Sequence, residues 1–204
     1  MSVPLVALAS RNPGKLREIR SILDAAEVSV RIVLADEFPG WEVPPEDAAD
    51  YAGNALEKAR SLASFAGLPA LADDSGIEVD ALDGAPGPRS ARFAGEDATD
   101  EENLRKLISM IEHVAPEART ARYRCVAALV VPGDGEETAE GTVEGILHTV
   151  PRGTGGFGYD PIFMPLAYDR TMAELPPEEK DAISHRGKAF RELVPAIARL
   201  AQRR

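Results

Sequence analysis

The sequence predicts an α/β fold, and three observations near its N-terminal end predict it. Residues 3–9 form a short apolar run ending in Ser-Arg-Asn-Pro-Gly, the pattern of a buried strand followed by a turn. From Lys15 onward, Leu16, Ile19, Ile22 and Leu23 recur on one helical face. Val28, Val30, Ile32 and Leu34 then alternate at period 2. Strand, helix, strand in that order opens an α/β architecture.

The remaining elements follow in order. Residues 35–48 are a Pro-rich acidic loop, and residues 49–66 a helix with Ala52, Ala55, Leu56, Ala59, Leu62 and Ala63 inward. Residues 70–73 and 77–79 flank Asp74-Ser75-Gly76 and read as two short strands meeting there. A Gly/Pro/Ala loop spans residues 83–98. Thr99 and Glu102 form a capping box, and the helix behind it buries Leu104, Leu107, Ile108 and Ile111. Residues 120–131 and 138–150 read as an antiparallel hairpin around Pro132-Gly133-Asp134-Gly135. A glycine-rich loop at 153–161 leads into a short strand at Ile162 and Phe163. The last helix, roughly residues 186–202, buries Phe190, Leu193, Val194, Ile197 and Leu200, with Pro195 expected to kink or break it. No repeat, low-complexity tract or linker interrupts residues 1–204, which read as a single domain.

Composition narrows the function. Lys plus Arg is 23 against 34 Asp plus Glu, a net charge of −11. That balance disfavours non-specific binding to nucleic acid or to anionic membranes. A polyanionic ligand therefore needs a local basic pocket or a divalent cation. The single cysteine, Cys125, excludes an internal disulfide framework and, inside a strand pattern, reads as a buried inert thiol. His113, His148 and His185 are too scattered for a zinc site. The run at residues 3–9 is too short for a membrane span and has no basic region before it. The expectation is a reduced, cytoplasmic setting. Lysines number only five (15, 58, 106, 180 and 188), so a lysine in a motif draws notice.

Five segments carry possible chemistry. Ser10-Arg-Asn-Pro-Gly-Lys15 lies between a strand and a helix N-terminus, where free N–H groups favour an anion; a plain capped turn is the alternative. Asp73 and Asp74 are adjacent at a strand end, so they point to opposite faces and only one can easily enter a given pocket. Glu46, Asp47 and Asp50 precede a helix in which Asn54 and Lys58 share a face. They could cap that helix, or join Asp74 around magnesium. Gly153-Thr-Gly-Gly-Phe-Gly158 matches G-x-G-x-x-G literally, but Pro161 leads on into a strand instead of a helix, so the dinucleotide reading fails. A bent loop presenting Phe157 for stacking, or a core-packed Phe157, remains. Lys180 and Ser184-His185-Arg186-Gly187 gather donors suited to carbonyl oxygens on a base edge, or a solvated basic patch.

Together these segments resemble the inosine/xanthosine triphosphate pyrophosphatase family over nearly the whole chain. The matching residues are Ser10-x-Asn12-x-x-Lys15, Asn54-Ala-x-x-Lys58, Ala72-Asp-Asp-Ser-Gly76, Gly84-Ala-Pro-Gly87 with Ser90-Ala-Arg92, the 153–161 loop and Ser184-His-Arg-Gly187. The resemblance implies an elongated mixed β-sheet with flanking helices, two lobes around a central cleft, and a homodimer. It implies Mg²⁺-dependent hydrolysis of a deaminated purine nucleoside triphosphate to the monophosphate and pyrophosphate. Ser10, Arg11, Asn12, Pro13, Gly14 and Lys15 would bind the triphosphate, with Lys58 and Ser75 also on phosphate. Glu46 and Asp74 would hold Mg²⁺, and Asp74 would be the general base. Phe157 would stack on the purine, with Gly158, Tyr159 and Asp160 completing that wall. Lys180, His185 and Arg186 would meet the base edge. The family's acidic loop usually reads Glu-Glu/Asp-Thr-Gly; here it is Glu46-Asp47-Ala48-Ala49, which keeps Asp47 as an alternative ligand. Competing readings are a pyrophosphatase for other modified nucleotides, a non-hydrolysing nucleotide-binding regulator, and a serine hydrolase using Ser75 and His185.

Overall fold

The computed structural model describes residues 3–202. Strand β1 (Leu5–Leu8) is followed by helix α1 (Pro13–Ala25) and strand β2 (Arg31–Leu34). The predicted second strand began at Val28, but residues 26–28 instead close α1. Ala26 N bonds to Ile22 O, Val28 N bonds to Leu23 O, and Glu27 takes a φ of 56°. Ladder pairing therefore starts only at Arg31. Helix α2 (Tyr51–Ala66) is capped by Asp50, whose side chain accepts from Gly53 N. It ends on Gly67 at φ 66°, the left-handed stop that glycine makes easily.

Strand β3 runs unbroken over Ala70–Val79, which corrects the expectation of two short strands. Gly76 does not turn the chain, and Asp73 and Asp74 stand inside the strand, not at its end. Polar residues survive there because their side chains find partners, described below. Helix α3 (Asp100–Ile111) carries the predicted Thr99–Glu102 capping box; it buries Leu107 and Ile111 fully and Leu104 and Ile108 partly. Strands β4 (Thr120–Val131) and β5 (Gly135–Leu147) form the predicted hairpin. Strand β6 (Phe163–Pro165) is followed by helix α4 (Pro177–Ile183), which has no counterpart in the sequence reading. Helix α5 (His185–Gln202) passes through Pro195 without a break; the proline stands on the exposed side, where its ring meets solvent instead of packed neighbours.

The six strands are ordered β2-β1-β3-β4-β5-β6. β1 pairs parallel with β2 and β3, and β5 pairs antiparallel with β6, so the sheet is mixed. The chain divides into two compact units. The first comprises residues 3–74, 125–141 and 186–202 of the described chain, and the second residues 75–124 and 142–185.

The first unit has a core on each face of its strands. Val6, Leu8, Leu71, Cys125, Ala127 and Leu129 pack with α1 and α5 residues such as Ile19, Leu23, Phe190 and Ile197. Ala7, Ala70, Ala72, Val126 and Ala128 pack with Ala55, Ala59 and Leu62 of α2. Alternate strand residues thus feed opposite faces. The second unit has its own core, with Ile77, Val79, Leu107, Ile111, Tyr123, Leu147, Ile162 and Phe163 at its centre. Each fully buried Leu or Ile contributes roughly 1.5–3 kcal/mol, which lets β3 carry two buried carboxylates whose ion pairs add little net stability. Among the described residues no helix is long and apolar enough to cross a membrane.

Candidate active site

The turn after β1 is built by its own side chains. Asn12 caps α1, with Oδ1 accepting from Gly14 N at 2.7 Å, and Ser10 Oγ accepts from Asn12 N at 3.1 Å. Pro13 occupies the first helical turn, where its missing N–H costs nothing. Gly14 must be small, since a Cβ there would stand 2.9 Å from Asn12 Oδ1. Arg11 is exposed and its Nε lies 3.2 Å from Asp36 Oδ1. Lys15 turns inward, its ammonium 2.8 Å from both carboxylate oxygens of Asp73.

Asp73 and Asp74 face opposite sides of β3, as strand geometry requires. Asp73 points toward α1 and α5. Besides Lys15 it accepts from Arg186 Nε at 3.1 Å, and Arg186 Nη1 lies 3.6 Å from Glu18 Oε2. Burial alone would raise the Asp73 pKa, but Lys15 and Arg186 outweigh it and hold the carboxyl far below its ordinary value. The Arg186 guanidinium is buried on Asp73 within the first unit, a planar fork matched to a carboxylate.

Asp74 points toward α2. Its Oδ2 accepts from Asn54 Nδ2 at 3.0 Å and its Oδ1 lies 3.1 Å from Lys58 Nζ. The same ammonium is 2.8 Å from Glu46 Oε1. Lys58 is buried, and burial works against its charge, yet Asp74 and Glu46 outweigh that and its pKa is raised. For Asp74 the balance runs the other way. Burial lifts its pKa above the ordinary carboxylate value, and the Lys58 charge only partly opposes this. Glu46, not the exposed Asp47, reaches this cluster. Two carboxylates converging on one cationic centre fit a hard divalent ion that keeps most of its water shell. No group of three His, Cys, Asp or Glu side chains placed to hold a metal occurs among the described residues.

In the second unit, the glycine loop holds Phe157 58% exposed, which removes the core-packed alternative. Lys180 Nζ lies 4.9 Å from the centre of that ring. Asp160 anchors the loop. Its Oδ2 accepts from Phe157 N at 2.9 Å and from Lys180 Nζ at 2.6 Å, and its Oδ1 accepts from the Tyr123 hydroxyl at 3.1 Å. Gly156, at φ 73°, leaves room for this carboxylate, because a Cβ would fall 2.1 Å from Asp160 Oδ2. Gly158 N donates to Asp100 Oδ2 at 3.0 Å.

Tyr159 is buried in the second core and its hydroxyl donates to Ser90 O at 2.8 Å. His185 stacks on Tyr123, with ring centres 4.8 Å apart and planes 8° from parallel. Tyr123 and Asp100 escaped the sequence reading. Tyr123 looks like any other alternating strand residue, and Asp100 like an ordinary first-turn acid. Ser75 lies within β3, so it lacks the tight strand-to-helix turn that a serine nucleophile needs. Cys125 is buried, and burial pushes its thiol pKa well up, as expected of an inert thiol.

A model of the Ham1 family matches residues 6–196. The chain belongs to that family. The chain is 51% identical over 193 residues to a dITP/XTP pyrophosphatase of Streptomyces coelicolor, covering 95% of this chain and 96% of that one. It is 50% identical over 185 residues to a dITP/XTP pyrophosphatase of Geobacter sulfurreducens, covering 91% and 92%. Among solved structures it resembles a Ham1 protein from Coxiella burnetii, with a TM-score of 0.88, 39% identity and coverage of 97% and 100%. Both the mixed α/β fold and the family expectation from the sequence are thereby met.

Proposed function

We propose that this chain hydrolyses dITP, ITP and XTP to the monophosphate and pyrophosphate, clearing deaminated purines from the nucleotide pool. The observation that carries this is the match to the Streptomyces coelicolor dITP/XTP pyrophosphatase, 51% identical and nearly complete on both chains. The family resemblance supports a division of labour. The triphosphate goes to the first-unit cluster, through the 10–15 turn with its helix N-terminus, Lys15 and Lys58, with Ser75 as a further phosphate contact. The base goes to Phe157, with Gly158 beside it and Lys180 and His185 as donors at its edge. Glu46 and Asp74 would hold Mg²⁺, which when bound offsets charge on the phosphates and on the leaving pyrophosphate. Asp74 takes the proton of the water attacking the α-phosphate, a role suited to a carboxylate whose burial makes it more basic. Asp160 serves by fixing Phe157 and Lys180 instead of touching the base.

Selectivity follows from the 6-position. Hypoxanthine and xanthine offer an oxygen acceptor there, and adenine an amino donor. An amino donor facing the Lys180 ammonium finds no acceptor there, at a cost of roughly 1–3 kcal/mol. A cytoplasmic homodimer belongs to the same proposal and rests on the family resemblance and on the single, buried cysteine.

The test is turnover on ITP, dITP, XTP, ATP, GTP and CTP, with and without Mg²⁺, scoring pyrophosphate against orthophosphate. Pyrophosphate release from ITP, dITP and XTP at least about 100-fold faster than from ATP is expected. Orthophosphate as the product, or equal use of ATP, overturns the reading. Phe157→Ala should raise KM by about 5- to 150-fold, since stacking on one base contributes roughly 1–3 kcal/mol. An unchanged KM in steady-state kinetics would remove Phe157 from base binding.

A further inference from the structure

We infer that Asn54 is a positioning residue for this reaction, locking the Asp74 carboxylate and the loop that carries Glu46 into one arrangement. The inference rests on the function proposed above. Asn54 is 1% exposed on α2, so each of its polar atoms needs a partner. Its Nδ2 donates to Asp74 Oδ2 at 3.0 Å, and its Oδ1 accepts from Ala48 N at 3.0 Å. One side chain therefore touches both the strand acid and the loop two residues beyond Glu46. Few residues fit. Aspartate has no donor and would set a second negative charge against Asp74, and leucine would leave a carboxylate oxygen and a buried N–H unpaired.

The preceding residue completes the device. A Cβ on Gly53 would stand 2.6 Å from Ala48 Cβ, so glycine is what lets the loop approach α2 closely enough for the Ala48 N–H to reach Asn54. Asp50 fixes the start of the helix, its side chain accepting from Gly53 N at 2.8 Å. The acidic loop thus docks on α2 through Gly53 and Asn54, and Lys58 one turn later meets Glu46 and Asp74. Asp74 is thus held by the neutral Asn54 as well as by the Lys58 ammonium.

The experiment compares the full-length chain with Asn54→Leu and Gly53→Ala. Asn54→Ser serves where Asn54→Leu does not unfold cooperatively. Steady-state kinetics on ITP is paired with calorimetric titration of Mg²⁺ into the metal-free proteins. Loss of an outer orienting contact costs about 10- to 100-fold, so the Asn54 variants should lose that much in kcat and in Mg²⁺ affinity while KM stays within about threefold. Gly53→Ala, which pushes the loop away but leaves the Asn54–Asp74 bond, should weaken Mg²⁺ binding and keep kcat at saturating Mg²⁺ within about threefold. A folded Asn54 variant with unaltered kcat and Mg²⁺ affinity overturns the inference. Failure of the parent reading shows separately, as no pyrophosphate release by the unaltered chain. The calorimetric comparison still decides the Asn54 role in that case, because equal Mg²⁺ affinities overturn it.

Discussion

Asp74→Asn should slow pyrophosphate release by roughly 10²–10⁴-fold, the usual contribution of a positioned general base, while nucleotide binding is largely retained. The asparagine keeps the shape of the side chain and one oxygen that can still accept from Lys58, although its amide then sets a donor against Asn54 Nδ2. It cannot accept a proton from water. Single-turnover pyrophosphate release, set beside equilibrium binding of the nucleotide, separates the two effects. Near-normal turnover would remove Asp74 from the base role. The unaltered chain makes a companion prediction in pH. Burial raises the Asp74 pKa, and the base works only when deprotonated. In the metal-free chain the Asp74 carboxyl should therefore titrate above an ordinary carboxylate, and added Mg²⁺ should draw that titration down, as NMR of the side-chain carboxyls would measure.

Asp73→Asn should instead act on stability. It removes the charge that Lys15 and Arg186 share and leaves two largely buried cations with their main carboxylate neutralised. Breaking a buried pair in this way costs about 3–5 kcal/mol, or roughly 10 °C in Tm for a chain of this size. The pH dependence follows from the lowered pKa. With the carboxyl held well below 3.8 in the folded chain, its stabilisation is present above that ordinary value. It is lost as pH falls through the folded value. The unaltered chain should therefore lose stability between neutral pH and strong acid more steeply than Asp73→Asn does. Urea unfolding at several pH values measures this. Parallel stability curves, or a variant as stable as the parent, would show that the cluster contributes nothing net.

Much of this was legible in the residues. Helices α1, α2 and α3 follow from 3.6-residue periodicity and their caps, and the β4–β5 hairpin from two strand-like runs around a Pro-Gly-Asp-Gly turn. The opposite facing of Asp73 and Asp74 follows from the period of a strand. Less was legible where a residue's fate depends on a distant partner. Ser75-Gly76 looked like a turn because small and polar residues favour turns, yet β3 runs through them. Arg186 looked like a base-edge donor beside His185, yet it reaches 113 residues back to Asp73. Tyr159 looked like part of the loop surface, yet its hydroxyl finds Ser90, 69 residues away.

The amino-acid order alone determined where α1, α2, α3, α5 and the β4–β5 hairpin lie, which side of β3 each acid takes, and which family the motifs resemble. These depend on short-range periodicity and on chemistry written into neighbouring positions. Only the tertiary structure decided that Asp73 is neutralised by Lys15 and Arg186, that Asp74 is held by Asn54 and Lys58, and that Asp160 anchors the Phe157 loop. Those pairings depend on which elements pack together, and a buried polar group takes whichever partner that packing brings within about 3 Å.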